Sequence, residues 1–391
     1  MNSTAAKVAR PIYIANGTVL QNDELVRADL WTDNGHIAAA KVDGDALRLN
    51  AEGLLVLPGI IDVHGDAFER SIMPRASVSF DLDLAFQDTD QQLAANGITT
   101  AYHGLTISWE PGLRSLDNAK KFMAALAAER GKFRVDHRVQ LRWETFAFDA
   151  VGDVAAWLAQ KPTPALAFND HTTSTIERVE SGNLTKLAGW ASRCGLTPDE
   201  YVAMVYRMAE RRAEVPAAVA ELAAQAKQSG AVILSHDDVT KENRAYYREL
   251  GADISEFPMT LEALHDANSH GEHAVFGAPN VVRGGSHNGS LNAADMAKQE
   301  LCTILASDYH YPSLINAAFA LTKRKNMSLA QSWALISKNP AAAMHLTDRG
   351  TLETGNRADI ILVREQDGLP QVVATLSNGE LAYLADGNLL K

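Results

Sequence analysis

LPGIIDVHGD, residues 57–66, is the stretch on which the fold turns. It is a short apolar run that stops at His64 and Asp66, two residues apart and so on the same side of an extended strand. The same design returns downstream. VQLRWE (139–144) stops at Glu144, and ALAFND (165–170) runs into Asn169, Asp170 and His171. VILSHDD (232–238) ends in His236, Asp237 and Asp238, and TILASD (303–308) in Ser307 and Asp308. GITTAYH (97–103), ADISEF (252–257) and HAVFG (273–277) are further candidate strands. Helical patterns follow many of them, as in LRSLDNAKKFMAALAAER (113–130) and PAAVAELAAQAKQSG (216–230). About eight strand-then-helix units fit an α/β fold of the (β/α)8, TIM-like barrel type. An open doubly wound sheet competes, but neither a GxxxxGK[ST] loop nor a GxGxxG turn supports it. Thr197-Pro198-Asp199-Glu200 predicts a helix start, with Thr197 capping and Glu200 three residues on.

Both chain ends read differently. PIYIANGTVL (11–20), ADLWTDNGHIAAAKVDG (28–44) and LRLNAEGLLVLPG (47–59) are short β-runs broken by Asn-Gly and Asp-Gly turns, and residues 355–387 resemble them. The economical reading is a small β-sandwich domain assembled from 1–58 and 349–391, with a barrel over 59–348 inserted between. The chain has 391 residues and a formal charge of -12, which argues against general binding to a nucleic-acid backbone or an anionic membrane. Two cysteines, Cys194 and Cys302, rule out a disulfide scaffold. Nothing reads as a signal peptide or a membrane span, so a soluble cytoplasmic protein is expected. The oligomeric state is open, a homo-oligomer included.

If the middle is a barrel, residues at the C-terminal strand ends face its mouth. Five separate junctions then offer His, Asp or Glu. Each alone has an ordinary explanation, since Asp308 could cap a helix and Asp66 could orient a turn. Packing gives no reason for all five together. The set reads as a site for one or two divalent ions, zinc foremost, with manganese or iron as alternatives.

With these residues in view, the chain resembles the amidohydrolase superfamily. His64-Gly65-Asp66, His171, His236, Asp308 and the closing NPAAAMHLTDRGTLETGNRADIILV (339–363) carry the resemblance. Longer stretches, above all FGAPNVVRGGSHNGSLNAADM (276–296), are similar to diphosphatases of phosphonate degradation within it. The resemblance implies that His64, Asp66, His171, His236 and Asp308 bind metal and that Asp308 takes the proton of the attacking water. It implies that Glu144 bridges two ions, where many relatives use a carboxylated lysine. It also implies hydrolysis of a ribose 1-methylphosphonate 5-triphosphate to the 5-phosphate and pyrophosphate, with His287 or a metal-bound water serving the leaving group. The chain departs from those diphosphatases after His64 (Gly-Asp-Ala) and after Arg75 (Ala-Ser), beside the expected pocket.

Such a substrate needs donors. Arg283 offers a fork for a phosphate, and Gly284 and Gly285 suit a backbone anion nest. Asn280, Ser286, His287 and Asn288 stand nearby; the alternative is a tight surface turn. Arg70 and Arg75 either bind phosphate or pair with Glu69 or Asp83, and His103 at a strand end is a further substrate candidate. His265, His270 and His273 read as an exposed loop. The competing enzyme is a metal-dependent amidohydrolase cleaving a carboxamide or cyclic amide, which needs the same ligands but not the nest. A non-catalytic metal-binding barrel is the remaining class.

Overall fold

The computed structural model describes residues 10–285 and 291–390. Its first strands, β1 (Ile12–Gln21), β2 (Glu24–Asp33), β3 (His36–Ala38), β4 (Leu47–Asn50) and β5 (Leu55–Pro58), lie in the small sheet. The barrel follows in β6 (Ile60–Gly65), β7 (Ile98–Ile107), β8 (Asp136–Glu144), β9 (Ala165–Asn169), β10 (Ile233–His236), β11 (Ile254–Glu256), β12 (His273–Gly277) and β13 (Ile304–Ala306). The chain then returns to the small sheet in β14 (Ile360–Gln366), β15 (Leu369–Ser377) and β16 (Glu380–Leu384). That sheet is mixed, in the order β16-β15-β14-β5-β1-β2-β3 with β4 on β1. The antiparallel pairing of β14 with β5 joins the two chain ends. Among the described residues no helix is long and apolar enough to cross a membrane.

The barrel strands pair in parallel from β6 through to β13 in sequence order. Strands such as β7, ITTAYHGLTI, are buried along their whole length because helices cover the outer face while the inner face fills the barrel. The ring closes at a bridge between Gly65 and Asp308. Asp62, fully buried, pins this seam: its carboxylate accepts from Ser307 N at 3.0 Å and Ser307 Oγ at 2.5 Å. Asp308 N donates to His64 O and Asp66 N to Asp308 O, each at 3.0 Å. One buried carboxylate therefore fixes the relative position of the first-strand and last-strand candidates.

Between β9 and the helix Val215–Ser229 the chain inserts three helices, His171–Glu180, Leu187–Arg193 and Pro198–Ala209. They carry their own small core of Leu187, Ala191, Cys194, Tyr201 and Val205. The third starts at the expected place, with Thr197 and Glu200 forming a reciprocal capping box. Such a cap is worth about 1 kcal/mol. This insert stands over the barrel mouth as a wall.

Candidate metal centre

Among the described residues, strand ends and the turns just past them bring three overlapping groups of ligand atoms together, each within 4.8 Å: His64, Asp66 and Asp308; His64, His236 and Glu256; His171, His236 and Asp237. Just past three of the strands stands a non-glycine residue held at positive φ: Asp237 at 60° after β10, Phe257 at 56° after β11 and Asp308 at 54° after β13. Such backbone costs about 1–3 kcal/mol per residue and persists where the surroundings impose it.

The atoms converge without satisfying one another. His64 Nδ1 lies 2.9 Å from Glu256 Oε1 and His236 Nδ1 lies 3.0 Å from Asp237 Oδ2, yet neither approach has hydrogen-bond geometry. Among the described residues Glu256 Oε2 is buried with no hydrogen-bond partner. Orphaned imidazole nitrogens and a carboxylate oxygen around one volume are what a divalent cation satisfies, so the donor set fits a metal ion. Burial opposes charge on both His64 and Glu256, but Glu256 draws His64 above its ordinary value and His64 holds Glu256 below its own. This corner favours positive charge, whether proton or metal. Burial and the negative Asp66 beside it push the Asp308 carboxyl up to about 6.

Glu144 does not join the three ligand groups. It accepts from His171 N at 3.0 Å, Thr172 N at 3.1 Å and Thr172 Oγ1 at 2.7 Å. It thus satisfies the free amides opening the helix that carries His171. Burial, reinforced by the charge of Asp170, raises its pKa to about 8. Glu256 and Asp237 take part instead. The parallel register places Glu256 directly opposite His236, a neighbour relation that the isolated string ADISEF does not disclose.

The expected anion nest is spent on the helix Ala278–Arg283. Gly284, at φ 82°, ends that helix, its amide donating to Val281 O at 3.2 Å while Gly285 N donates to Asn280 O at 3.0 Å. Amides bonded inward in this way are not free to receive a phosphate. Arg283 is exposed and lies outside the cavity lining, whereas Asn280 lines it. Ser286, His287 and Asn288 fall outside the described residues. Arg70 donates to Tyr309 O, Arg75 is exposed, and neither lines the cavity. The first partner of Glu69 is Arg114, through a fork at 2.9 and 2.8 Å. His103 is buried against Phe68, Phe86 and Phe122, away from the mouth.

Above the cluster opens a cavity of about 1140 Å³. Arg114, Arg142, Arg178, Lys186 and Arg193 line it, together with carboxylates that include Glu110 and Glu177. Glu110 ties the insert to the barrel, accepting from Arg193 Nη2 at 2.8 Å and from the Tyr201 hydroxyl at 2.5 Å.

Comparison with known proteins agrees with this geometry. The model of the "Amidohydrolase family" matches residues 81–383. An α-D-ribose 1-methylphosphonate 5-triphosphate diphosphatase of Escherichia coli K12 is 31% identical over 368 residues, 91% of this chain and 96% of that protein. A dihydroorotase of Lactobacillus gasseri is 46% identical over 52 residues, 13% of this chain and 12% of its own. Among solved structures, a β-aspartyl dipeptidase from Fervidobacterium islandicum AW-1 superposes with a TM-score of 0.62 at 15% identity, over 96% of this chain and 97% of that one. That last likeness is one of fold.

Proposed function

The chain belongs to the amidohydrolase family and is a metal-dependent hydrolase, and we propose that its substrate is a small anionic molecule. The observation that carries this reading is the cavity wall: five cationic side chains stand around a volume continuous with the ligand cluster. Once metal ions occupy the carboxylates of Asp66, Asp237 and Asp308, the balance of that wall turns positive.

Two scissile bonds suit such a substrate. A carboxamide or cyclic amide is supported by the dihydroorotase likeness, and it asks nothing of the spent glycine turn at 284–285. The phosphoric anhydride of a ribose 1-methylphosphonate 5-triphosphate is favoured by the relative that matches nearly end to end. Both use one apparatus. Bound there, divalent ions, zinc by the ligand chemistry, would supply Lewis acidity for hydrolysis near neutral pH. His64, Asp66, His236, Glu256 and Asp308 hold them, with His171 and Asp237 at the outer edge. Asp308 faces the cavity and accepts the proton of the attacking water. Asp62 keeps that carboxylate in register with His64, and the insert narrows access for bulk water.

The test is a paired incubation of metal-reconstituted protein with dihydroorotate and with α-D-ribose 1-methylphosphonate 5-triphosphate, followed by carbon and phosphorus NMR. Ring opening, or release of pyrophosphate, lost on adding chelator, is the expected result and selects the bond. Absence of both from protein shown to hold metal would defeat the reading.

A further inference from the structure

We propose that Arg142 is the anchor for a substrate oxyanion, placed inside the ligand cluster rather than on the cavity rim. The inference rests on the reading of the cluster as a hydrolytic metal site and names the group that the anion meets there.

Arg142 lies on β8 between Gln140 and Glu144, and its guanidinium enters the cavity at the level of His64 and His236. It is 5% exposed. A guanidinium that deeply buried ordinarily spends its five N–H groups on carboxylates and carbonyls. Arg244, fully buried on the helix Lys241–Glu249 that follows β10, does so: it reaches Glu272, Ser235 and Ala252 O. Arg142 does not. Its Nη2 donates to His236 Nε2 at 3.1 Å. Its Nη1 stands 3.7 Å from Asp66 Oδ2, too far for a hydrogen bond. Among the described residues its Nε is buried with no hydrogen-bond partner.

Both of those neighbours are metal ligands. A cation that takes the unpartnered Nδ1 of His236 leaves the ring proton on Nε2, which then no longer accepts from Arg142, and it draws on the charge of Asp66 as well, so the buried guanidinium stands beside positive charge short of acceptors. That arrangement is tolerable only when an anion with at least two oxygens completes it, one oxygen toward the ions and one on the guanidinium fork. A phosphoryl group has that form, and so does a carboxylate. Arg142 is accordingly a binding residue, absent until the substrate arrives from the list of satisfied buried charges.

The experiment is calorimetric titration of the metal-reconstituted protein, Arg142→Met and Arg142→Lys with inorganic phosphate in one arm and malonate in the other, with metal content measured on each sample. The expected result is that the wild type binds phosphate or malonate, which identifies a phosphoryl or a carboxylate source. Arg142→Met should then weaken that binding at least tenfold at unchanged metal content, and Arg142→Lys should recover part of it. Three results would overturn the proposal: binding equal to wild type in Arg142→Met, loss of metal from that variant, or no binding of either anion by the wild type. Turnover is read separately. Anion binding that depends on Arg142 in a protein that hydrolyses neither candidate substrate would sink the hydrolase reading and leave the anchor standing.

Discussion

Two buried histidine clusters sit on the same barrel and have opposite fates. At the mouth, His64 and His236 stand among Asp66, Glu256 and Asp308 with ring nitrogens and a carboxylate oxygen unpartnered. On the outer wall, His103 Nε2 lies 2.9 Å from His137 Nδ1, and His137 Nε2 lies 3.1 Å from Asp90 Oδ1. Asp90 Oδ1 also accepts the amides of Arg134 and Val135 at 3.0 and 3.2 Å. Phenylalanine rings enclose this second chain, with Phe133 stacked 4.0 Å from His137. Burial, then the neighbouring His137, drives His103 well below its ordinary pKa, so it stays neutral. The residue types are the same. The outer chain also leaves one ring nitrogen, His103 Nδ1, unpartnered, but phenylalanine rings close it in. What differs is that the unpartnered atoms at the mouth converge with further ligand atoms on a cavity, and this separates a chemical site from a structural one.

Substitution separates the two clusters. His236→Ala or Asp308→Ala should reduce turnover at least about a thousandfold, as expected for removal of a metal ligand or the proton acceptor, with the unfolding midpoint little changed. A variant that keeps wild-type rates would remove that residue from the site. Asp90→Ala should do the reverse. It strands two backbone amides and His137 in the interior and should cost about 2–4 kcal/mol in denaturant unfolding, with specific activity per folded molecule preserved. If that variant instead lost activity without losing stability, the outer cluster would have a chemical role.

A finer contrast concerns two glutamates. Glu256→Gln should lower metal affinity about ten- to a hundredfold by equilibrium dialysis. Glu144→Gln, which retains an acceptor for the helix amides, should lower it less. The opposite ranking would restore Glu144 as the bridging ligand.

The smallest effect is a pH dependence at the foot of the barrel, far from the cluster. Burial opposes ionisation of Asp136, but Arg138 and Arg349 hold its carboxyl below the ordinary value. A depressed carboxyl stabilises the fold above the unfolded-chain pKa near 3.9, and that contribution fades as pH falls through the folded value. Asp136→Asn should therefore cost about 1–2 kcal/mol at neutral pH. The gap should close in acid below about pH 4. A gap that widened toward acid would reverse the assigned sign.

Much of this was legible in the sequence. Apolar runs leading to His64, Asp66, His171, His236 and Asp308 announce the barrel and five of the seven residues of the candidate cluster, because strand burial and strand-end chemistry are both written locally. Glu256 was not legible. Only the register of β11 against β10 sets it beside His236. Arg142 was hidden for another reason: VQLRWE offers an arginine and a glutamate on one face, and the strand's depth decides which reaches the cluster. The glycine turn at 284–285 misled in the other direction, since a helix end and an anion nest ask for the same residues.

We infer that the mouth cluster, with its unspent atoms, holds divalent metal. Metal analysis of the purified chain by plasma mass spectrometry, beside the double variant His236→Ala/Asp308→Ala, tests it most directly. One or two ions per wild-type chain, lost from the double variant while it remains folded, is the predicted result. A double variant that keeps its full metal content would contradict the account.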